Sequence, residues 1–291
     1  MAHGPDTDEL LRRIHECDGE RLDISYLNIT SLPFLPNILK EFVCDNSNII
    51  ELPLLPDTLK TLCCDHTNIT KLPPLPNSLK CLSCSITNIA ELPPLPDTLT
   101  TLYCDNTKIT KLPQLPDTLK TLVCDDTNIT ELPPLPDTLE ILHCSYTNIT
   151  ELHPLPDTLT VLGCSRTKII ELPPLPSTLT ELYCNTINIT ELPPLPSKLE
   201  SLYCDNTNIA ELPPLPDTLE DLDCSDCPLI LQRKQGETVQ DYNARWEEWR
   251  EKKRTQERCM AVRDDLLAAA LHPKRIERWI DEHGIEVLDA M

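Results

Sequence analysis

From Ser31 to Ile230 apolar residues return at fixed intervals of twenty, in ten consecutive blocks with no insertion or deletion. Residues 91–110, ELPPLPDTLTTLYCDNTKIT, show the unit: Leu at places 2, 5, 9 and 12, Cys at place 14 and Ile at place 19. A constant period of this size predicts a repeat solenoid, in which each repeat packs only on its neighbours. The segment Leu99-Thr-Thr-Leu-Tyr-Cys104 alternates with the two-residue period of a strand. Leu102 and Cys104 are expected inward, and Thr101, Tyr103 and Asp105 outward. The segment Leu92-Pro-Pro-Leu-Pro96 is neither helix nor inner strand, because proline lacks a donor and pushes the residue before it toward extended geometry. Polyproline-II with Leu92 and Leu95 inward is expected there, and Asp97-Thr98 turns the chain back. Strands from Leu22 to Leu222, spaced ~4.8 Å apart, then form a parallel sheet on the concave face, with proline-rich turns on the convex face.

The two ends depart from this period. Residues 6–17 predict a short amphipathic helix, capped by Asp6 or Thr7, with Leu10, Leu11 and Ile14 on one face. Asp18-Gly19 turns the chain into a degenerate first repeat carrying Leu22, Ile24, Leu27 and Ile29. The helix is expected to cover the open end of the first rung, since a bare end exposes core and unpaired strand edge. The period stops at Leu229-Ile230, and helical spacing begins at Thr238. There Tyr242, Trp246 and Trp249 form an i, i+4, i+7 stripe. Pro273 suits the first turn of a last helix carrying Ile276, Trp279 and Ile280, ended by Gly284. The expected organisation is a capping helix over 1–20, the solenoid over 21–230 and a helical segment over 231–291. The aromatic stripe either caps the last rung or docks a partner or a second copy.

Composition changes this picture in three ways. The chain carries a formal charge of −22, of which the first 230 residues hold −21. That argues against nucleic acid, whose phosphates need Lys and Arg, and suits a partner with a basic surface. Of the 29 prolines, 26 fall at just three places of the unit, so proline here is architecture in register with leucine and not low complexity. No stretch approaches the 18 apolar residues of a membrane span, and residues 1–17 show no secretory signal. Fifteen cysteines in that setting imply a reducing compartment, read as cytoplasmic, and free thiols. The Asn-Ile-Thr triplets at Asn28, Asn68, Asn128, Asn148 and Asn188 match a glycosylation acceptor but recur because the repeat recurs.

The spacing Leu99-x-x-Leu102-x-Cys104-x-x-Thr107-x-Ile109 resembles the leucine-rich repeat, L-x-x-L-x-L-x-x-N-x-L. The twenty-residue length and the LPPLP segment resemble the short repeats of bacterial type III effectors of the invasion-plasmid-antigen-H class. The Cys and Thr substitutions and the tail look like the repeat proteins of giant DNA viruses of the marseillevirus kind. The resemblance covers roughly residues 10–230. It implies protein binding without catalysis, and, on the viral side, residence in a host's cytoplasm or in a virion. Thr replaces the family's loop-bonding Asn at Thr67, Thr87, Thr107, Thr127, Thr147, Thr167 and Thr207, and no room remains for the ligase domain of some effectors.

The column Cys44, Cys64, Cys84, Cys104, Cys124, Cys144, Cys164, Cys184, Cys204 and Cys224 reads as small buried apolar groups, since in-register side chains all point one way and suit neither a disulfide nor a tetrahedral metal. Cys224-Ser-Asp-Cys227 has no second ligand pair. Cys63 and Cys81 are expected outward and the more reactive. No phosphate loop, nucleophile elbow or metal-spaced His pair appears, so no catalytic residue, metal or cofactor is expected. Recognition falls instead to the outward, variable place 13, with Tyr103, His143, Tyr183 and Tyr203, and to the neighbouring acidic column of Asp45, Asp65, Asp105, Asp125 and Asp205. The expected function is non-enzymatic recognition of a protein partner on the concave sheet. The alternatives are a structural protein that self-associates through its tail, making a homo-oligomer of an otherwise monomeric chain, and an adaptor that recruits degradation machinery.

Overall fold

The computed structural model describes residues 5–270, apart from positions 18, 33, 232, 233, 235 and 236. The expected last helix with Pro273, Ile276, Trp279, Ile280 and Gly284 lies outside the described residues. The chain divides into two compact units, Met1–Gln232 and Arg233–Met291.

In the first unit, α1 (Pro5–Glu16) leads into β1 (Arg21–Asp23), and each following block contributes one three-residue strand at places 11–13. These run from β2 (Glu41–Val43) to β11 (Asp221–Asp223). All eleven strands lie in sequence order in one parallel sheet, in a register that sets place 12 on place 12, such as Leu22 on Phe42 and Leu202 on Leu222. The architecture is therefore a parallel-sheet solenoid of twenty-residue turns, with a helix at its N-terminal end.

The periodic apolar places fill the core. Leu99, Leu102, Cys104 and Ile109 are fully buried, as are their equivalents in the other interior rungs. Each such side chain contributes about 1.5–3 kcal/mol, so stability is spread evenly along the sheet. The LPPLP segments carry no helix or strand, and the following two residues turn the chain. Their burial differs from expectation. Leu95 is only half-buried, and the next residue, Pro96, is buried in its place. The same exchange holds at Leu55, Leu75, Leu135, Leu155, Leu175 and Leu195. A proline ring enters the core without an N–H to satisfy, and its carbonyl closes the turn by accepting the place-9 amide, as in Leu99 N–H to Pro96 O at 3.0 Å.

Polar side chains tie the rungs together. The place-8 hydroxyl of Thr118 donates to the carbonyls of Asp97 and Leu99 on the rung before, at 2.7 and 2.8 Å, and Thr98, Thr138, Thr158 and Thr178 repeat the arrangement.

The first rung shows how the sheet is closed. In every inner rung the place-13 and place-15 carbonyls accept amides from the rung before, as Val43 O accepts Ile24 N–H and Asp45 O accepts Tyr26 N–H. The corresponding carbonyls of Asp23 and Ser25 have no earlier rung. Arg13 of α1 donates its Nη1 to both, at 3.1 and 3.4 Å. Leu10 is buried below it, whereas Leu11, expected on the same face, is 50% exposed. Gly19 turns the chain between helix and strand with φ +86°, a conformation other residues rarely adopt.

In the second unit, α2 (Val239–Ala270) is one continuous helix. The Thr238 hydroxyl accepts the Asp241 amide at 3.1 Å and donates to the Asp241 carboxylate at 2.7 Å, closing its N-terminus. No helix among the described residues is long and apolar enough to cross a membrane.

Candidate functional site

The concave surface is shaped by what happens just after each strand. The residue at place 16 adopts left-handed backbone geometry in all eleven rungs, with φ between 51° and 64°, and none of them is glycine. Asn46, Asn106, Asp126, Asn206 and Asp226 tolerate it, but Ile86, Tyr146, Arg166 and Thr186 do so at about 1–2 kcal/mol each. Two hydrogen bonds hold the bend. The place-16 amide donates to the place-15 carbonyl of the next rung, as in Asn106 to Asp125 at 2.8 Å. The place-17 hydroxyl donates back to the buried place-14 carbonyl, as in Thr107 Oγ1 to Cys104 O at 2.8 Å. The threonines therefore perform a loop-bonding task themselves. The hydroxyl is replaced by a hydrocarbon at Leu27 in the first rung and at Ile187 among the interior rungs, both buried, and by a thiol at Cys227 in the last.

The acidic column proves to be tied to the backbone. Asp45 Oδ1 accepts the Asp65 amide at 2.8 Å, Asp65 Oδ1 the Ser85 amide at 2.7 Å and Asp125 Oδ1 the Ser145 amide at 2.5 Å. Asp65 also accepts the Ser83 hydroxyl through both oxygens, and Asp105 accepts the hydroxyl of Ser85. These carboxylates extend the sheet's ladder past the end of the strands, where the main chain bends away. Burial lifts Asp45, Asp65, Asp125 and Asp205 above the ordinary carboxylate range, against the pull of the amide donors at the first three.

At place 13 the predicted residues separate into two groups. Tyr103, 37% exposed, has no ring partner among the described residues. Further along, the Tyr183 and Tyr203 rings stack at 5.1 Å with 10° between their planes, and His143 lies 6.3 Å from Tyr183 although a whole rung intervenes. Gly163 on that intervening rung makes this possible. A Cβ there would lie 2.5 Å from His143 Nδ1, so only glycine lets the imidazole lean across. The Tyr183 hydroxyl donates to Glu181 Oε2 at 2.8 Å, and that carboxylate pushes the phenol up to about 12.

A cavity of about 470 Å³ opens beside this cluster, lined by Asp125, Asp126, His143, Ser145, Tyr146, Ser165, Tyr183 and Asn185. Its origin is a local loss of side-chain volume: serine at place 15 in two successive rungs, next to Gly163 at place 13. At place 16, Tyr146 is 55% exposed, and the Arg166 guanidinium rests 5.1 Å above its ring. Asp125, His143 and Tyr183 are thus brought together, while Tyr103 sits on the rung before that of Asp125, outside the cavity lining, and Asp45 and Asp65 lie three or more rungs from Asp125. The sequence signal for the cavity was available in Gly163, the single glycine at place 13.

The column of cysteines follows the buried reading except at Cys224, in the last rung, which is half-buried, and the expectation for Cys63 and Cys81 needs correction. All fifteen thiols are free, and the column from Cys44 to Cys204 is buried, with Sγ donating to the next rung's place-13 carbonyl at Cys44, Cys64, Cys84 and Cys124. Cys63 and Cys81 do lie on the outward face, but they are half-buried. Burial first, and then Asp45 at Cys63 and Asp65 at Cys81, raises both thiols, Cys63 to about 12. They are therefore poor nucleophiles. Cys259 on α2 is the exposed thiol among the described residues. No group of three or more metal-ligating side chains occurs among the described residues.

Tyr242 and Trp246 are buried and Trp249 is half-buried. Cations of the same helix lie over each ring: Arg245 at 5.7 Å, Arg250 at 4.7 Å and Lys253 at 4.9 Å.

No protein-family profile and no curated protein matches the chain. Solved structures do. YopM from Yersinia enterocolitica WA-314 is similar at 35% identity over 79% of this chain and 52% of that one, with a TM-score of 0.76. The functional domain of InlJ from Listeria monocytogenes, described as including a cysteine ladder, is similar at 23% identity over 77% and 65%, with a TM-score of 0.50. A Shigella effector leucine-rich-repeat domain aligns at 25% identity over 71% and 80%, with a TM-score of 0.47. The chain spans about half the length of the YopM structure. The solenoid has the architecture of leucine-rich-repeat structures.

Proposed function

We propose that this chain is a non-enzymatic scaffold that recognises a protein partner through the concave sheet, the partner presenting a basic surface there. The observation that carries the reading is the cluster of His143, Tyr183 and Tyr203 standing over Asp125, Asp126 and Glu181. Beyond Val43 the apolar core draws nothing from place 13, yet Tyr183 and Tyr203 stack on adjacent rungs there and His143 leans toward them across one more. Tyrosine is a frequent interface anchor, combining apolar area with a polar tip. The surrounding charge, −21 over the first 230 residues, would steer a basic partner. The structural likeness to YopM supports the scaffold.

The test is affinity capture from host-cell lysate with the wild type and with Tyr183→Ala/Tyr203→Ala, after circular dichroism shows both folded. A partner held by the wild type and lost by the variant supports the concave face. Unchanged capture moves the site elsewhere, and recovery of the protein alone favours self-assembly. Ligase subunits bound to the tail segment would favour the adaptor. The viral kinship of the Cys and Thr columns, and action in an infected host's cytoplasm or in a particle, belong to the same proposal. Mass spectrometry of purified virions and of infected-cell cytosol tests them.

A further inference from the structure

The cavity beside His143 is specific enough to name the group it takes. Its lining is unequal. Two carboxylates, Asp125 and Asp126, stand at one end, the Tyr183 ring and Asn185 at the other, His143 and Tyr146 at the sides, and the small side chains of Ser145 and Ser165 between. One oxygen of Asp125 accepts the Ser145 amide, and among the described residues its Oδ2 has no hydrogen bond. Tyr183 is held rigid by the Tyr203 stack and by its bond to Glu181, so one side of the cavity is a preset flat face.

We propose that this cavity binds an arginine side chain of the protein partner. A guanidinium is planar, so it stacks on an aromatic face, and its fork of N–H donors matches a carboxylate. A lysine ammonium is a compact point charge that uses neither the plane nor the fork. The volume suits one extended side chain with its water, and a nucleotide or other anion would meet Asp125 and Asp126. The chain shows the contact at the cavity's own lip, where the Arg166 guanidinium lies on the Tyr146 ring. The proposal rests on the concave-face reading and adds the chemistry of the anchor.

The test is calorimetric titration of the full chain with three short peptides of equal length, built on arginine, lysine or citrulline, in about 0.15 M salt, where long-range charge is screened. The arginine peptide is expected to bind about tenfold more tightly than the lysine peptide, and the citrulline peptide not measurably. Asp125→Asn and Tyr183→Leu should each weaken the arginine peptide about tenfold, while Leu54→Ala, at an exposed position of the proline-rich segments, leaves it unchanged. Gly163→Ala, which forces His143 out of its present place, should weaken it too. Thermal melts of each variant show that it is folded, and if Asp125→Asn does not fold, Tyr183→Leu and Gly163→Ala carry the test. Equal binding of arginine and lysine peptides, indifferent to all three variants, overturns the pocket and leaves the acidic concave face standing. Binding of neither peptide overturns both.

Discussion

Replacing Thr107 by valine tests whether the place-17 threonines hold the solenoid's bends. Thr107 is buried, and its hydroxyl donates to Cys104 O at 2.8 Å. No backbone amide among the described residues donates to that carbonyl. Valine has the same shape, so packing is nearly unchanged, but a buried acceptor loses its hydrogen bond. Leaving such a group unsatisfied costs about 1–3 kcal/mol. The more apolar methyl returns part of this, about 0.8 kcal/mol at most, so the expected loss is about 1–2 kcal/mol. For a unit of this size that lowers the thermal midpoint by roughly 2–8 °C. Thr107→Ser keeps the donor and loses a methyl, and should fall between wild type and valine. Ile187→Thr, compared with Ile187→Val so that the lost methylene cancels, supplies a hydroxyl to the one rung that has Ile there and should be the more stable of the two by about 1–2 kcal/mol. Urea unfolding of the full chain followed by circular dichroism measures all four. A valine variant as stable as the wild type, or a serine variant less stable than valine, would refute the reasoning.

Three further outcomes follow. Arg13→Ala should fray the first rung by about 2 kcal/mol, the scale of a charged donor's hydrogen bonds, seen as faster hydrogen exchange at the Ile24 and Tyr26 amides while interior rungs stay protected; unchanged exchange there would mean that α1 does not close the sheet edge. Limited iodoacetamide treatment near neutral pH should label Cys259 first and leave Cys63, raised to about 12, unmodified until the pH is increased, as read by peptide mass spectrometry; equal rates would contradict the burial of Cys63. The raised values of Asp45, Asp65, Asp125 and Asp205 mean that the folded state holds these protons more readily than the unfolded chain, so their contribution is full below the ordinary value of 3.8 and is lost as pH rises through the folded values. The thermal midpoint should therefore fall as pH is raised from just above 3.8 toward neutrality, and a midpoint that stays constant or rises over that interval would show that these side chains are ionised at no penalty.

The places that bury apolar groups were legible because their spacing is the spacing of the fold. Leu102 inward and Tyr103 outward follow from strand alternation alone, and the register of eleven strands follows from an unbroken period of twenty. Side chains that bond across rungs were not legible, because their role depends on which backbone group lies one rung away. Asp65 has the composition of a solvated surface acid, yet it extends the ladder to the Ser85 amide. The left-handed bend at place 16 was hidden because no glycine marks it, although Asn46, Asn106 and Asn206 gave a partial sign. Leu95 and Pro96 exchanged roles because hydrophobicity favours leucine inside while the turn sets the proline ring there. Of the candidate site, Tyr183 and Tyr203 were visible as single residues. Their stack with His143 depends on Gly163, whose missing Cβ joins rungs that periodicity treats as independent.

Site-specific photo-crosslinking tests the central claim most directly. A benzophenone amino acid is placed at Tyr203 on the concave sheet in one protein and at Gln114 on the convex side in another, each with the full chain otherwise intact. Irradiation in host-cell lysate should join the Tyr203 probe to a protein partner through a basic, arginine-bearing segment, and the Gln114 probe to nothing specific. A partner crosslinked from Gln114 and absent from Tyr203 would contradict recognition through the concave face.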